Sequence, residues 1–179
     1  MKKVLLLGII LALALTLIMP SVAMAAQPTA FSASGKFTSI DEGNVSVLGF
    51  DEVYQVPIFQ VQDRHIQGEF ARSVKGESNR VNGPFTITYD AVVNGYQIGT
   101  FSGVLAAKSA TFTVQGISYG ITGFDASKGY RVDLGGTWTG THGIKGEGTF
   151  TAWFYFIPDG LHIGSLTDSS FTMTGNYDR

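Results

Sequence analysis

The side chains that could do chemistry are few and scattered. His65, His142 and His162 lie far apart, and none stands two residues from another, so no metal-ligating spacing forms. His142 falls in a glycine-rich turn, where a solvated ring is expected. The chain has no cysteine, which removes thiol nucleophiles, thiolate metal sites and disulfides together. "FDASKG" at 124–129 supplies one carboxylate, too few for a calcium loop. No nucleophile elbow with a partnered Ser, His and Asp is expected. Asp51 and Glu52 are adjacent and so point to opposite faces if in a strand. General acid–base work needs a carboxylate or imidazole buried with a shifted pKa. The strand register below puts Glu69, Asp90, Asp133 and Glu147 outside. No catalytic residue, metal or cofactor is therefore assigned, and the reading leans away from an enzyme.

The chain's first residues read as an export signal. Lys2 and Lys3 precede an apolar run from Val4 to Met19, and Ala23-Met24-Ala25 is a small-x-small cleavage site. Residues 1–25 are expected to be a signal peptide, 26–34 a flexible arm and 35–179 a single domain, exported to the periplasm, envelope or medium. Removing the two leader lysines from 12 Lys+Arg leaves 10 against 14 Asp+Glu. That balance offers no basic stripe for nucleic acid. Membrane attachment is not expected once the signal is cleaved.

The remaining chain is organised by strands. Apolar residues at helical spacing are missing after residue 30, and one phrase recurs instead: "GKFTSI", "GPFTIT", "ATFTVQG", "GTFTAW" and "SSFTMTG". Phe and Thr suit a pleated, half-buried surface and point to opposite faces. Turn signals separate the copies, Asn94-Gly95 being the strongest, with a two-residue hairpin loop expected there. The result is an all-β fold, an antiparallel up-and-down barrel of about eight strands, calycin-like, with a β-sandwich as the alternative. Letting Phe mark the inside places Phe70, Phe85, Phe112, Phe150, Phe154 and Phe171 inward. Strand 96–105 stays open, Tyr96, Ile98 and Val104 competing with Phe101 and Leu105. Polar groups carried inward are Arg72, Tyr89 and Tyr130, with Arg64 and Gln55 further candidates. Arg72, Tyr89, Tyr130 and Phe154 are the cavity candidates. The functional use of such a set is an arginine at a barrel mouth meeting the carboxylate of an apolar ligand, with Tyr89 bonded to it. The structural use is snorkelling of Arg64 and Arg72 to water at opposite mouths.

The same register leaves Trp153, Tyr155 and Ile157 in line on the outer face. A contiguous apolar stripe needs a cover. A second subunit, the arm with Phe31 folded over it, or an external ligand would each serve. The first of these makes the three residues interface candidates and the protein a homo-oligomer.

The glycine-punctuated stretch "GGTWTGTHGIKGEGTF", Gly135 to Phe150, resembles the allene oxide cyclase and dirigent barrel superfamily, including related bacterial barrels of unassigned role. Gly136, Thr137, Gly140, Gly143, Gly146, Gly148 and Phe150 carry the resemblance; Trp138 stands where those sequences often have Gly. "GTFSGVL", Gly99 to Leu105, is similar to another strand of the group. The resemblance spans Gly35 to Tyr177. It implies an eight-stranded antiparallel barrel with an apolar interior, often oligomeric. The polar cavity residues that cyclases and dirigent proteins need have no matching positions here, so it implies no activity.

Three functions follow as expectations. The first is an exported barrel that binds an apolar small molecule or serves as an assembling module. The second is a cyclase or isomerase whose cavity confines a reactive substrate. The third is a small outer-membrane barrel, against which stands an apolar inside and a polar outside.

Overall fold

A computed structural model describes residues 27–71, 76, 78–95, 98–159 and 162–178. The expected signal peptide and its cleavage site lie outside the described residues, as do Arg72 and Tyr96. The elements are β1 (Thr29–Ile40), β2 (Asn44–Asp51), β3 (Val56–Phe70), a helical turn α1 (Ser78–Val81), β4 (Gly83–Asn94), β5 (Gly99–Ala106), β6 (Thr111–Asp125), β7 (Gly129–His142), β8 (Lys145–Asp159) and β9 (His162–Asp178). Neighbours pair antiparallel in the order β1-β9-β8-β7-β6-β5-β4-β3-β2, and β1 also pairs with β3. That last pairing closes an eight-stranded barrel and leaves β2 as an extra strand. The barrel, not the sandwich, is the fold.

The Phe register holds around the wall. Phe70, Phe85, Phe112, Phe150, Phe154 and Phe171 are all buried. Strand β5 resolves in favour of Leu105, fully buried, and Phe101, packed on the core, while Ile98 and Val104 are exposed. Tyr130 to Thr139 pair with Phe156 to Glu147 without a register shift, so Gly135-Gly136 makes no bulge there and Trp138 points inward. The Asn94-Gly95 hairpin forms, with Gly95 at φ 56°. Its loop is longer than two residues, because Val93 pairs with Gly99.

One expectation fails at the start of the chain. Residues 29–34 are not a loose arm. They are strand β1, paired with β9 from Thr29↔Tyr177 to Gly35↔Phe171. Phe31 is 2% exposed and lies against Trp138 at 5.2 Å between ring centroids. The barrel interior needed a large apolar side chain at this end, and "AFSAS" alternates as a strand does. Phe31 therefore cannot cover the outer stripe.

The two ends of the barrel differ. At the end where β1 begins, Phe31, Phe112 and Trp138 form a plug, the last two edge-to-face at 5.5 Å and 89°. The Trp138 indole donates to the Thr174 carbonyl at 3.1 Å, which satisfies its N–H. Room for this indole comes from glycine: a Cβ on Gly148 would stand 2.8 Å from Nε1, and one on Gly175 2.7 Å from Cζ2. The turn α1 spans this end. Its Val81 is fully buried. Arg80 donates to the Gly143 carbonyl, and the Arg80 carbonyl accepts from Ser109 N–H at 3.0 Å.

Toward the other end β1 parts from β9. Their ladder stops at Gly35↔Phe171. One hydroxyl spans the gap: Phe37 N–H donates to Ser169 Oγ at 2.9 Å, and Ser169 donates back to the Phe37 carbonyl at 3.0 Å. Ser169 is the buried polar side chain in an otherwise apolar core.

Ser169→Ala should leave two buried main-chain groups without partners and cost roughly 1–3 kcal/mol, read as a lower midpoint in urea unfolding. The exposed Ser165→Ala is the control and should stay within about 0.5 kcal/mol of wild type. Equal midpoints for both variants would remove Ser169 from its bridging role.

Candidate functional site

The interior beyond the plug is not filled. A cavity of about 440 Å³ opens toward the hairpin tips, walled by Val61, Ile87, Phe101, Phe154, Phe156 and Ile163 among others. The polar groups among its lining residues are Arg64, Tyr89, Glu42, Thr100 and Ser118. This volume falls in the range of small-molecule sites, as does an apolar wall with few polar groups. A wider depression on the outer wall, lined by Thr137, Thr149 and Thr151 among others, is open to solvent and encloses nothing.

Arg64 faces inward by alternation with Ile66, Gly68 and Phe70, and a β-bulge turns Val61 inward beside it. The β3–β4 register shifts between Val61 and Arg64, and Asp63 takes φ 53°. Asp63 N–H donates to Asp90 Oδ1 at 2.8 Å, which holds the extra residue in place. Val61 and Arg64 therefore both face inward, whereas strict alternation would separate them. The Arg64 guanidinium donates to the Glu42 carbonyl from Nε at 3.0 Å and Nη2 at 2.7 Å. Its positive charge also acts on the Tyr89 hydroxyl, on the neighbouring strand. Burial pushes the Tyr89 pKa up, with the Arg64 charge opposing. Tyr89 thus keeps its proton, and a protonated hydroxyl lining the cavity is a donor.

Of the four cavity candidates, the structure brings Tyr89 and Phe154 into one wall. Arg72 lies outside the described residues. Tyr130 does not line the cavity. It sits beside the β6–β7 turn, 37% exposed, against Phe124 at 5.1 Å and Phe156 at 6.0 Å. The wall ends there, so an inward register position no longer means an enclosed one. Gln55 stands at φ 55° in the β2–β3 turn, its amide on the Glu52 carbonyl, and is no part of the cavity either.

The outer stripe has a cover from its own strands. Trp153 pairs across β7–β8 with Asp133, and Tyr155 with Arg131. The Arg131 guanidinium lies 5.0 Å from the Trp153 ring centroid and 5.8 Å from that of Tyr155. Lys128 lies 5.5 Å from the Tyr155 ring. Asp133 anchors Arg131 at 2.7 Å, and Asp168 anchors Lys128 at 2.8 Å. Hydrogen bonds from those cations hold both carboxyls below the usual range, and the Asp133 bond pushes Arg131 up. Ile157, beyond the reach of these cations, stays exposed.

Three features were not singled out from sequence. Ser169 could have been, as a polar residue two before Phe171 on the inward face. The Glu42 carbonyl under Arg64 had no signal, because main-chain atoms carry none. The string Gly116-Ile117-Ser118-Tyr119-Gly120 spells a G-x-S-x-G and was not given a role. It runs within strand β6, with no helix after it, so it makes no elbow. Among the described residues, no three His, Asp or Glu side chains converge as a metal site would require.

The ion pairs over the stripe give a pH dependence. Asp133 and Asp168 have folded-state pKa values below their unfolded ones. Their contribution is present above the unfolded value, about 3.9, and is lost as pH falls through the folded values. Both pairs are solvated, so screening keeps their contribution small. Thermal melts should show the midpoint dropping below about pH 4, with a shallower drop in Asp133→Asn plus Asp168→Asn. Identical profiles would show that the pairs add nothing.

Compared with family models, with curated proteins and with solved structures, the chain finds no match in any of the three.

Proposed function

We propose that the barrel binds an amphiphilic small molecule, its apolar body in the cavity and an anionic, hydrogen-bond-accepting end on Arg64 and Tyr89. The observation that carries this reading is the state of Arg64. Its guanidinium lines an apolar cavity beside Tyr89, is held by a neutral carbonyl, and forms no salt bridge among the described residues. A partly buried cation without a counter-ion is costly, and an anion arriving with the ligand offsets that cost. Both groups at this end donate, which selects an acceptor. Ligand binding also gives the hollow its use, since a barrel of this size can fill its interior with side chains.

The cyclase or isomerase reading shares the same geometry, with the Tyr89 proton as donor to a developing negative charge. It differs in requiring a product. The outer-membrane reading has the barrel interior against it, since Phe fills the inside, where such barrels are polar.

The test is a titration with a fluorescent fatty carboxylate and with the alcohol of the same chain. Arg64→Met should weaken carboxylate binding by about tenfold or more while changing alcohol binding by no more than about threefold. Phe101→Trp, which narrows the cavity, should weaken both. Failure of wild type to bind either probe, or equal losses for both probes in Arg64→Met, would sink the proposal. Conversion of a bound probe to a new compound would favour the enzymatic reading.

A further inference from the structure

We propose that the free edge of β2 is a docking site for an extended segment of another polypeptide, apolar in its middle and basic at its ends, which adds to the sheet as a further strand. The inference does not rest on what the cavity holds, although Glu42 and Val45 also line the cavity. Among the described residues β2 pairs with β3 alone, from Asn44↔Gln62 to Asp51↔Val56, so its other edge carries unpaired main-chain donors and acceptors. Such an edge is a template for strand addition. Natural edges are usually blunted by Lys, Pro or a cover, and "NVSVLGF", Asn44 to Phe50, contains neither Lys nor Pro. A bulge at Leu48 bends the edge without filling it.

The side chains agree with the backbone. Val45, Val47, Leu48, Phe50, Val53 and Tyr54 are all exposed, Val53 to 84%. Together they present on the order of 600 Å² of apolar surface, the upper end for the largest patch on a monomer. With the backbone edge added, the area approaches one partner's share of a standard interface, about 800 Å². The tip is built to hold this shape. Asp51 Oδ1 accepts from Val53 N–H at 2.9 Å and Tyr54 N–H at 3.0 Å, and Asp51 Oδ2 accepts from the Asn94 amide.

Charge chooses the occupant. The uncharged edge is bracketed by Asp41 and Glu42 before it and by Asp51 and Glu52 after it. The nearby Arg64 lines the cavity, its guanidinium on the Glu42 carbonyl, and Asp51 and Glu52 carry the acidic charge at the edge's other end. Antiparallel pairing with β2 of a second copy would set Asp51 and Glu52 against the copy's own acidic bracket, and facing like charges destabilise a strand pair. A strand with lysines at both ends meets attraction there instead.

The test uses two labelled, end-blocked peptides, Lys-Lys-Val-Thr-Val-Thr-Val-Lys-Lys and the same peptide with Glu replacing each Lys, with binding followed by fluorescence anisotropy. The basic peptide should bind at least about tenfold more tightly than the acidic one, and less so as salt rises. Val47→Lys, an exposed position, should weaken the basic peptide at least about tenfold. Glu52→Lys should weaken the basic peptide and strengthen the acidic one. Far-UV circular dichroism confirms that both variants are folded. The proposal is overturned if neither peptide binds, if both bind alike, or if Val47→Lys changes nothing. It is also overturned if the wild-type protein forms a dimer that Val47→Lys dissolves, because a second copy would then fill the edge.

Discussion

A closed barrel sets a fixed interior, and every inward side chain must share it. Eight strands leave space for side chains to interdigitate across the axis, so a large ring at one position demands a missing one opposite. The chain meets this by setting glycines beside aromatics on nearby strands of the wall. Trp138 occupies the room left at Gly148 and Gly175, and a Cβ on Gly68 would run into the Phe85 ring. The plug, the placement of Phe31 in β1 and the hollow beyond depend on this exchange of volume. Where it is complete the interior is solid. Where small residues such as Ala152 and Gly99 line the interior, space remains for something else.

Much of this was legible because a strand's alternation is local. The Phe-Thr phrase reports its own orientation, and it did so correctly wherever strands pair regularly. Departures came where register depends on a partner. The bulge at Gln62-Asp63 is set by Asp90 on the neighbouring strand, and it decides that Val61 and Arg64 face the same way. The longer β4–β5 loop reflects Gly95 N–H donating to the Pro57 carbonyl, a link no turn signal announces. The first strand is not legible locally, because the inward partners of Phe31 are Phe112 on β6 and Trp138 on β7, far along the chain.

The candidate site divides in the same way. Tyr89 and Phe154 follow from alternation alone. Arg64 follows too, from Phe70; Val61 beside it needed the bulge, and the support of Arg64 needed a carbonyl of the β1–β2 turn. The outer stripe was visible as an apolar line but not as a covered one. Its cover depends on Arg131 and Asp133 lying two apart on β7, directly beside the rings of β8. An apolar patch in sequence is therefore only half an observation; the side chains across the strand boundary complete it.

The pairing of β1 with β9 also bears on how the chain comes to be folded. Thr29 meets Tyr177, so the wall is joined by two strands from opposite ends of the described chain. During synthesis the intervening hairpins can form in turn as they emerge, but the circle cannot shut until the last strand is available. Until then β1 and β8 each offer an unsatisfied edge, and the plug lacks Met173 and Tyr177. Contacts of such long sequence separation make closure the slow, late event. The interval before it is when the partly wound sheet is most open to association with other chains.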